Sequence, residues 1–294
     1  MINVVCFGEV LFDVFPSHKK IGGAPLNVAN RFKSLGNHVT MISAIGKDNL
    51  GTQILDYLKG QGINTGCIQV NDRLKTGEVQ VILNDKGSAS YDISYPRAWD
   101  KIQLTSLAQK EVQSADAFVF GSLVARDDTS RQTLYDLLEM AKFKIFDLNL
   151  RPPHYSPEVL LYLMDQADFI KFNDDELYEV SHYLGSKYNS LEQNIRYLAD
   201  KTNTNQICVT LGPHGAVLWY KDTMYYNCGY LVEVKDTVGA GDSFLGALNS
   251  ALLNGVKPQE ALDFSCAVGA LVAQSEGANP KISRNEVESF MNPY

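Results

Sequence analysis

The chain of 294 residues is short of the features that mark most specialised classes of protein. It has five cysteines, at positions 6, 67, 208, 228 and 266, and no C-x-x-C pair. An odd count at such spacing argues against a disulfide framework and suits free thiols in a reducing compartment. Uninterrupted apolar runs are brief, as from Cys266 to Ala273, far below the ~20 residues of a membrane span. The five histidines, at 18, 38, 154, 182 and 214, lack metal-ligand spacing, so a transition-metal site is not expected. Basic charge is scarce as well. Twenty-six Lys and Arg against thirty-four Asp and Glu give a net charge of −8, which argues against nucleic acid or an anionic membrane as partner. A small anionic ligand needs only a local positive field. No basic segment precedes the first apolar stretch, which Glu9 and Asp13 interrupt, so no signal peptide is expected and the cytoplasm is the expected location.

What the chain does have is 45% hydrophobic and 20% charged residues, enough to bury a sizeable core. Strand-like and helix-like segments alternate. Ile2 to Gly8 reads as a buried strand, Ala24 to Leu35 as a helix stopped by Gly36, Val39 to Ile45 as a strand and Leu50 to Leu58 as a helix. Further strands are expected at Ala117 to Phe120, Lys144 to Leu148, Phe169 to Phe172 and Gln206 to Thr210. This rhythm predicts an α/β fold with a mostly parallel sheet flanked by helices. Two places depart from it. Thr76 to Leu83 and Ser88 to Ile93 alternate around the turn signal Asn84-Asp85-Lys86-Gly87, and Ala216 to Tyr220 pairs with Met224 to Asn227 around Lys221-Asp222. The first hairpin and the extended stretch Val10 to Phe15 predict a small projecting sheet. With no linker, repeat or low-complexity tract, one unit over residues 1–294 is expected, carrying a β lid from about 10–22 and 74–98.

The stretch Lys235-Asp236-Thr237-Val238-Gly239-Ala240-Gly241-Asp242-Ser243-Phe244 is the richest in chemistry. Apolar residues at helical spacing follow it, so a helix is expected from Gly241 or Asp242. Gly239, Ala240 and Gly241 would present backbone N–H groups without helical partners, an anion site by construction. Asp242 at the same mouth could accept a proton from a hydroxyl attacking a phosphate. The helix field is expected to lower its pKa, leaving a weak but ionised base. Asp242 as a simple helix cap is the competing reading. There is no G-x-x-x-x-G-K-[ST] and no G-x-G-x-x-G after the first strand, and no histidine follows Ser243 to complete a hydrolase triad.

Asp236 to Phe244 resembles the C-terminal signature of the PfkB carbohydrate-kinase family of the ribokinase-like superfamily. Gly22-Gly23-Ala24-Pro25-Leu26-Asn27-Val28-Ala29, Leu35-Gly36, Ile45-Gly46-Lys47-Asp48 and Gly51 resemble its N-terminal signature, and Gly8-Glu9-Val10-Leu11-Phe12-Asp13 is most similar to the fructokinase branch. The resemblance implies a ribokinase-like three-layer sandwich with a β lid, and an ATP-dependent kinase acting on a sugar, with fructose first. It makes Asp242 the catalytic base with Gly239, Ala240 and Gly241 as anion hole. Asp13, Gly23 and Asn27 become sugar ligands, with Arg151 of Asp147-Leu148-Asn149-Leu150-Arg151 near phosphate or sugar. Asn173 and Glu176 match an N-x-x-E element, Glu176 meeting Mg2+ through water; they also read as a capping box. Thr210, Gly212 and Gly215 would follow the ATP phosphates and ribose, or form only a tight turn. Asn279 would close the adenine pocket, and a monovalent cation, K+, would sit near Asp236. Arg97 is the candidate for a further sugar contact, although Tyr95-Pro96-Arg97-Ala98-Trp99-Asp100 departs from the branch pattern. A homodimer through the lid is implied too. Rival substrates are ribose, 2-keto-3-deoxygluconate or a nucleoside, whose base could stack on Tyr91, Tyr95 or Trp99. A non-catalytic sugar-binding regulator is the rival from another class.

Overall fold

The computed structural model describes residues 1–83 and 89–292, and the turn Asn84-Asp85-Lys86-Gly87 lies outside them. Strands β1 (Asn3–Phe7), β2 (Leu11–Val14) and β3 (Lys19–Gly22) lead into α1 (Ala24–Ser34). Then come β4 (His38–Gly46), α2 (Asn49–Gly60), β5 (Ile68–Asn71), β6 (Gly77–Leu83), β7 (Ala89–Ile93), α3 (Ser106–Ser114) and β8 (Ala117–Gly121). Helix α4 (Asp128–Leu138), β9 (Lys144–Asp147), α5 (Pro157–Gln166), β10 (Phe169–Asn173), α6 (Asp174–Tyr183) and α7 (Leu191–Thr202) continue the alternation to β11 (Gln206–Thr210). The pair β12 (Ala216–Tyr220) and β13 (Thr223–Asn227) precedes α8 (Ala240–Leu253), α9 (Pro258–Ala273) and α10 (Arg284–Met291).

The larger sheet has nine strands in the order β13-β12-β11-β10-β9-β8-β1-β4-β5. All neighbours are parallel except β11-β12 and β12-β13. Its strands are apolar on both sides because both sides are covered. Successive residues feed opposite cores: Val5 and Phe7 of β1, with Phe118 and Phe120 of β8, pack under α3 to α7. Val4 and Cys6, with Ala117 and Val119, pack under α1, α2, α8 and α9. The two helical layers around one sheet make the three-layer sandwich expected from the sequence. All five cysteines are free thiols.

The small sheet has the order β3-β2-β6-β7. Its strands fall inside the two segments expected to form the lid. Strand β2 leaves the end of β1 after only Gly8, Glu9 and Val10, so the lid is anchored at the larger sheet's interior. From β1 the chain adds β4 and β5 on one side, then returns to add β8 through β11 on the other. Open α/β sheets leave a crevice beyond the carboxyl ends of the strands where the order reverses. The lid overhangs that crevice.

Phe120 is buried with its ring centroid 5.0 Å from that of Phe146 and 5.9 Å from that of Phe118. Phe120→Ala removes this stack from the β8–β9 core, and a loss of ~3–5 kcal/mol in unfolding free energy is expected from denaturant titration.

Candidate active site

Beneath the lid is a cleft of about 290 Å³. The lid contributes Leu11, Asp13 and Val79, the start of α1 contributes Gly23 and Asn27, and the mouth of α8 contributes Gly239, Gly241 and Asp242. Asn149 and Arg151 enter from the end of β9, and Lys171 rises from β10. A larger hollow of about 530 Å³ near Met1, Asn37, Ser250 and Arg284 has no carboxylate side chain among the described residues of its wall. Three carboxyl side chains, from Glu9, Asp13 and Asp242, converge in the smaller space.

Helix α8 begins at Ala240, slightly before the expected residue, with Gly239 as N-cap at φ 77°. A side chain on Gly239 would strike Ala278, so only glycine lets the helix mouth close against that loop. The Ala240 N–H donates to the Thr237 carbonyl at 3.2 Å. Gly239 and Gly241 on either side of it line the cleft.

Asp242 stands in the first turn of α8, its Oδ2 accepting a hydrogen bond from Asn27 Nδ2 at 2.8 Å. Asn27 Oδ1 in turn accepts from Asn279 Nδ2 at 2.7 Å. A carboxylate can only accept, so it dictates the orientation of both amides in this chain. The expected fall in the pKa of Asp242 is corrected. Burial, then the charge of Asp147, push it up to about 6, against the opposing pull of Asn27, Lys171 and Arg151. Desolvation outweighs the helix field here, giving a stronger base that is still mostly ionised at pH 7.

Lys171 was not singled out in the sequence, although a lysine inside the apolar run Phe169-Ile170-Lys171-Phe172 is itself a signal. It is buried, and its Nζ donates to Asp147 Oδ1 at 2.9 Å. Burial draws its pKa down, but Asp147, Glu176 and Asp242 outweigh this and leave it raised. Its ammonium lies 3.6 Å from the point where a Gly241 side chain would begin, so a fixed positive charge underlies the helix mouth.

Asp13 and Arg151 face each other electrostatically across the cleft. Burial pushes the Asp13 carboxyl up to about 6, moderated by Arg151 and Lys20. Gly23 caps α1 against the Glu9 backbone. Asp236 lies just outside the cleft wall, its Oδ1 accepting from the Val238 N–H at 3.0 Å. Its Oδ2 accepts from the Gly277 N–H and the Lys20 ammonium, each at 3.1 Å. Burial would raise the Asp236 pKa, but these donors outweigh it and hold it low. The Lys20 ammonium thus counters the charge of this carboxylate.

Glu176 closes the cap of α6: its Oε2 accepts from the Asn173 N–H and its Oε1 from the Leu150 N–H, both at 2.8 Å. Asn173 Oδ1 returns a 2.8 Å bond from the Glu176 N–H. The carboxylate is buried, which raises its pKa against the pull of Lys171. Asn173 is thus occupied as a cap. No cluster of three or more His, Cys, Asp or Glu among the described residues could hold a metal directly. Asp147 holds the Lys171 ammonium on Oδ1, and its buried Oδ2 has no hydrogen-bond partner. Each Glu176 oxygen accepts one backbone N–H and keeps a second lone pair, which suits a contact to Mg2+ through water rather than a direct one.

Thr210 and Gly212 stand at the carboxyl end of β11, the Thr210 hydroxyl donating to the Phe172 carbonyl at 3.3 Å. Gly215, at φ 85°, packs against the backbone of Asn227 and Gly229, where no side chain fits. It shapes the turn into β12. Asn279 directs its amide at Asn27 and so joins the hydrogen-bond chain that ends on Asp242. Arg97 reaches Glu78 of the lid, with Nη2 3.7 Å from Oε2, and does not line the cleft. Arg126 was missed. It is buried against Asp100 at 2.7 and 2.9 Å and lies 4.1 Å from the centroid of Trp99. Trp99 is therefore buried in the lid's base, Tyr95 lies outside the cleft with its hydroxyl on Asp127, and the side chain of Tyr91 is outside the description.

The profile of the "pfkB family carbohydrate kinase" matches residues 1–285. Fructokinase-2 of Solanum habrochaites is 28% identical over 308 residues, covering 95% of this chain and 92% of its own. The structure of a fructokinase from Xylella fastidiosa with bound ATP superposes with a TM-score of 0.87 at 23% identity, covering 100% of this chain and 99% of that one. A Vibrio cholerae fructokinase bound to fructose, ADP and calcium gives 0.86 at 22% identity, with 99% of both chains covered.

Removing the amide that solvates the Asp242 carboxylate will raise its pKa further. In Asn27→Ala, carboxyl NMR titration is expected to show Asp242 protonating above the wild-type value of about 6.

Proposed function

The chain belongs to the pfkB family of carbohydrate kinases, and on that premise we propose that it is an ATP-dependent fructokinase. The observation that carries this reading is the carboxylate of Asp242, held by Asn27 at 2.8 Å in the mouth of a helix whose glycine amides share its cleft. Asp13, Gly23, Asn27 and Arg151 offer carboxylate, backbone, amide and guanidinium groups, graded donors and acceptors suited to a polyol. The amides of Gly239 and Gly241, with Lys171 beneath them, suit the charge on a phosphoryl group in transit. Burial of Trp99 weakens the nucleoside alternative, because one of its stacking platforms is already covered.

In the proposed reaction a primary hydroxyl of the sugar attacks the γ-phosphorus of ATP in line. A new O–P bond forms while the bond from the γ-phosphorus to the β–γ bridging oxygen breaks, and ADP departs with that electron pair. Asp242 takes the hydroxyl proton and later releases it to solvent. Glu176, beside Asp147, would hold Mg2+ through water, and the ion would supply neutralising charge on the nucleotide phosphates. Potassium beside Asp236 belongs to the same reading, as do ATP contacts at Thr210 and Gly212. The lid excludes water, which limits wasteful hydrolysis of ATP. We further propose one unit over the chain, pairing of two copies through the lid, and residence in the cytoplasm. Among the described residues no helix is long and apolar enough to cross a membrane.

ATP consumption measured across fructose, ribose, 2-keto-3-deoxygluconate and nucleosides is expected to give the highest kcat/KM with fructose. Saturable sugar binding without turnover on any of them would favour a regulator instead. In Asp242→Asn, turnover is expected to drop ~100-fold or more while ATP affinity stays near wild type. For the wild-type enzyme, kcat/KM should fall as pH drops through about 6, because Asp242 then gains a proton and no longer accepts one.

A further inference from the structure

Glu9 is the unexplained acid of the cleft. It is the middle residue of the three that connect β1 to the lid strand β2, at the point where the order of the larger sheet reverses. The residue is 3% exposed and yet lines the cleft. Its Oε2 is buried without a hydrogen-bond partner. Buried polar atoms left unpaired are uncommon because each forfeits its hydration, and they call for an explanation.

The groups around it do not provide one. The Glu9 backbone N–H, Arg151 and Arg126 favour the ionised form of Glu9 and Asp242 opposes it, yet Oε2 stays without a partner. Arg126 gives its guanidinium to Asp100 and to the carbonyls of Ile93 and Ser94. Arg151 Nη1 donates to the Leu150 carbonyl at 2.9 Å. Burial is the largest influence and pushes the Glu9 carboxyl up to about 7. Near neutral pH such a group can present either an O–H donor or a lone-pair acceptor to whatever enters the cleft.

We propose that Glu9 is a further sugar-binding residue, whose carboxyl hydrogen-bonds a hydroxyl of the sugar other than the one phosphorylated. This inference rests on the sugar-kinase reading. It assigns to Glu9 a specificity role: a sugar lacking that hydroxyl leaves the buried carboxyl unpaired and is rejected, as sites built around a hydrogen bond reject analogues without it.

Two variants separate this role from a structural one. Glu9→Gln keeps the length and the hydrogen-bonding groups, whereas Glu9→Met keeps only approximate shape. In steady-state assays with fructose, Glu9→Gln should hold KM within about threefold of wild type, and Glu9→Met should raise it by about tenfold or more with a smaller change in kcat. Calorimetric ATP affinity should be unchanged in both. Wild type should also discriminate between fructose and one of its 3-deoxy or 4-deoxy analogues, and Glu9→Met should lose that discrimination. A fructose KM within about twofold of wild type in Glu9→Met overturns the inference, and so does a parallel loss of ATP affinity, since that marks a purely structural residue. If wild type phosphorylates another sugar of the panel instead of fructose, the fructokinase reading falls and the same variants are read on that sugar. Lack of turnover on every sugar overturns both.

Discussion

The cleft is organised by a shortage of water around negative charge. Asp242, Asp13 and Glu9 are all pushed upward in pKa, and in each case burial is the leading cause. Arg151 moderates all three, and Lys171 supports Asp242 from below. A buried charge without compensation is costly, so the acids can gather only because β9 and β10 deliver these cations to the same end of the sheet. The position of Lys171 within an otherwise apolar strand makes physical sense in that light. It neutralises Asp147 while adding positive potential beneath the Gly241 amide.

The same balance ties the two sheets together functionally. The larger sheet supplies rigid positions at its strand ends, and the small sheet supplies Asp13 from β2 and the apolar cover of Leu11 and Val79. Neither lines the cleft alone. Asn27 lies between them at the start of α1, and its two amide atoms link Asp242 to Asn279. Segments far apart in the chain thereby fix one carboxylate, which is the preorganisation that a proton acceptor in phosphoryl transfer requires.

Much of the fold was legible because periodicity is a strong signal in buried parallel strands. Phe169 to Phe172 and Gln206 to Thr210 lie where their apolar runs predicted, and the Gly239–Asp242 turn opens a helix as its glycines and following pattern required. The site was harder to read because side-chain direction depends on tertiary neighbours. That Asn279 turns to Asn27 and Arg97 to Glu78 is invisible in their positions along the chain. The pKa of Asp242 was misjudged in sign because the helix field is visible in sequence, whereas desolvation exists only after packing. Glu9 interrupts an apolar stretch in the sequence, but only packing shows that its carboxyl is buried and borders the cleft.

Lys20 of β3 spans from the small sheet to Asp236, the residue that opens the loop leading into α8. That one ammonium bears on Asp13 of the small sheet as well as on Asp236, pulling the pKa of both downward. Two carboxylates from opposite ends of the chain thus share a single counter-charge, and the placing of β3 sets the electrostatics of the loop before α8.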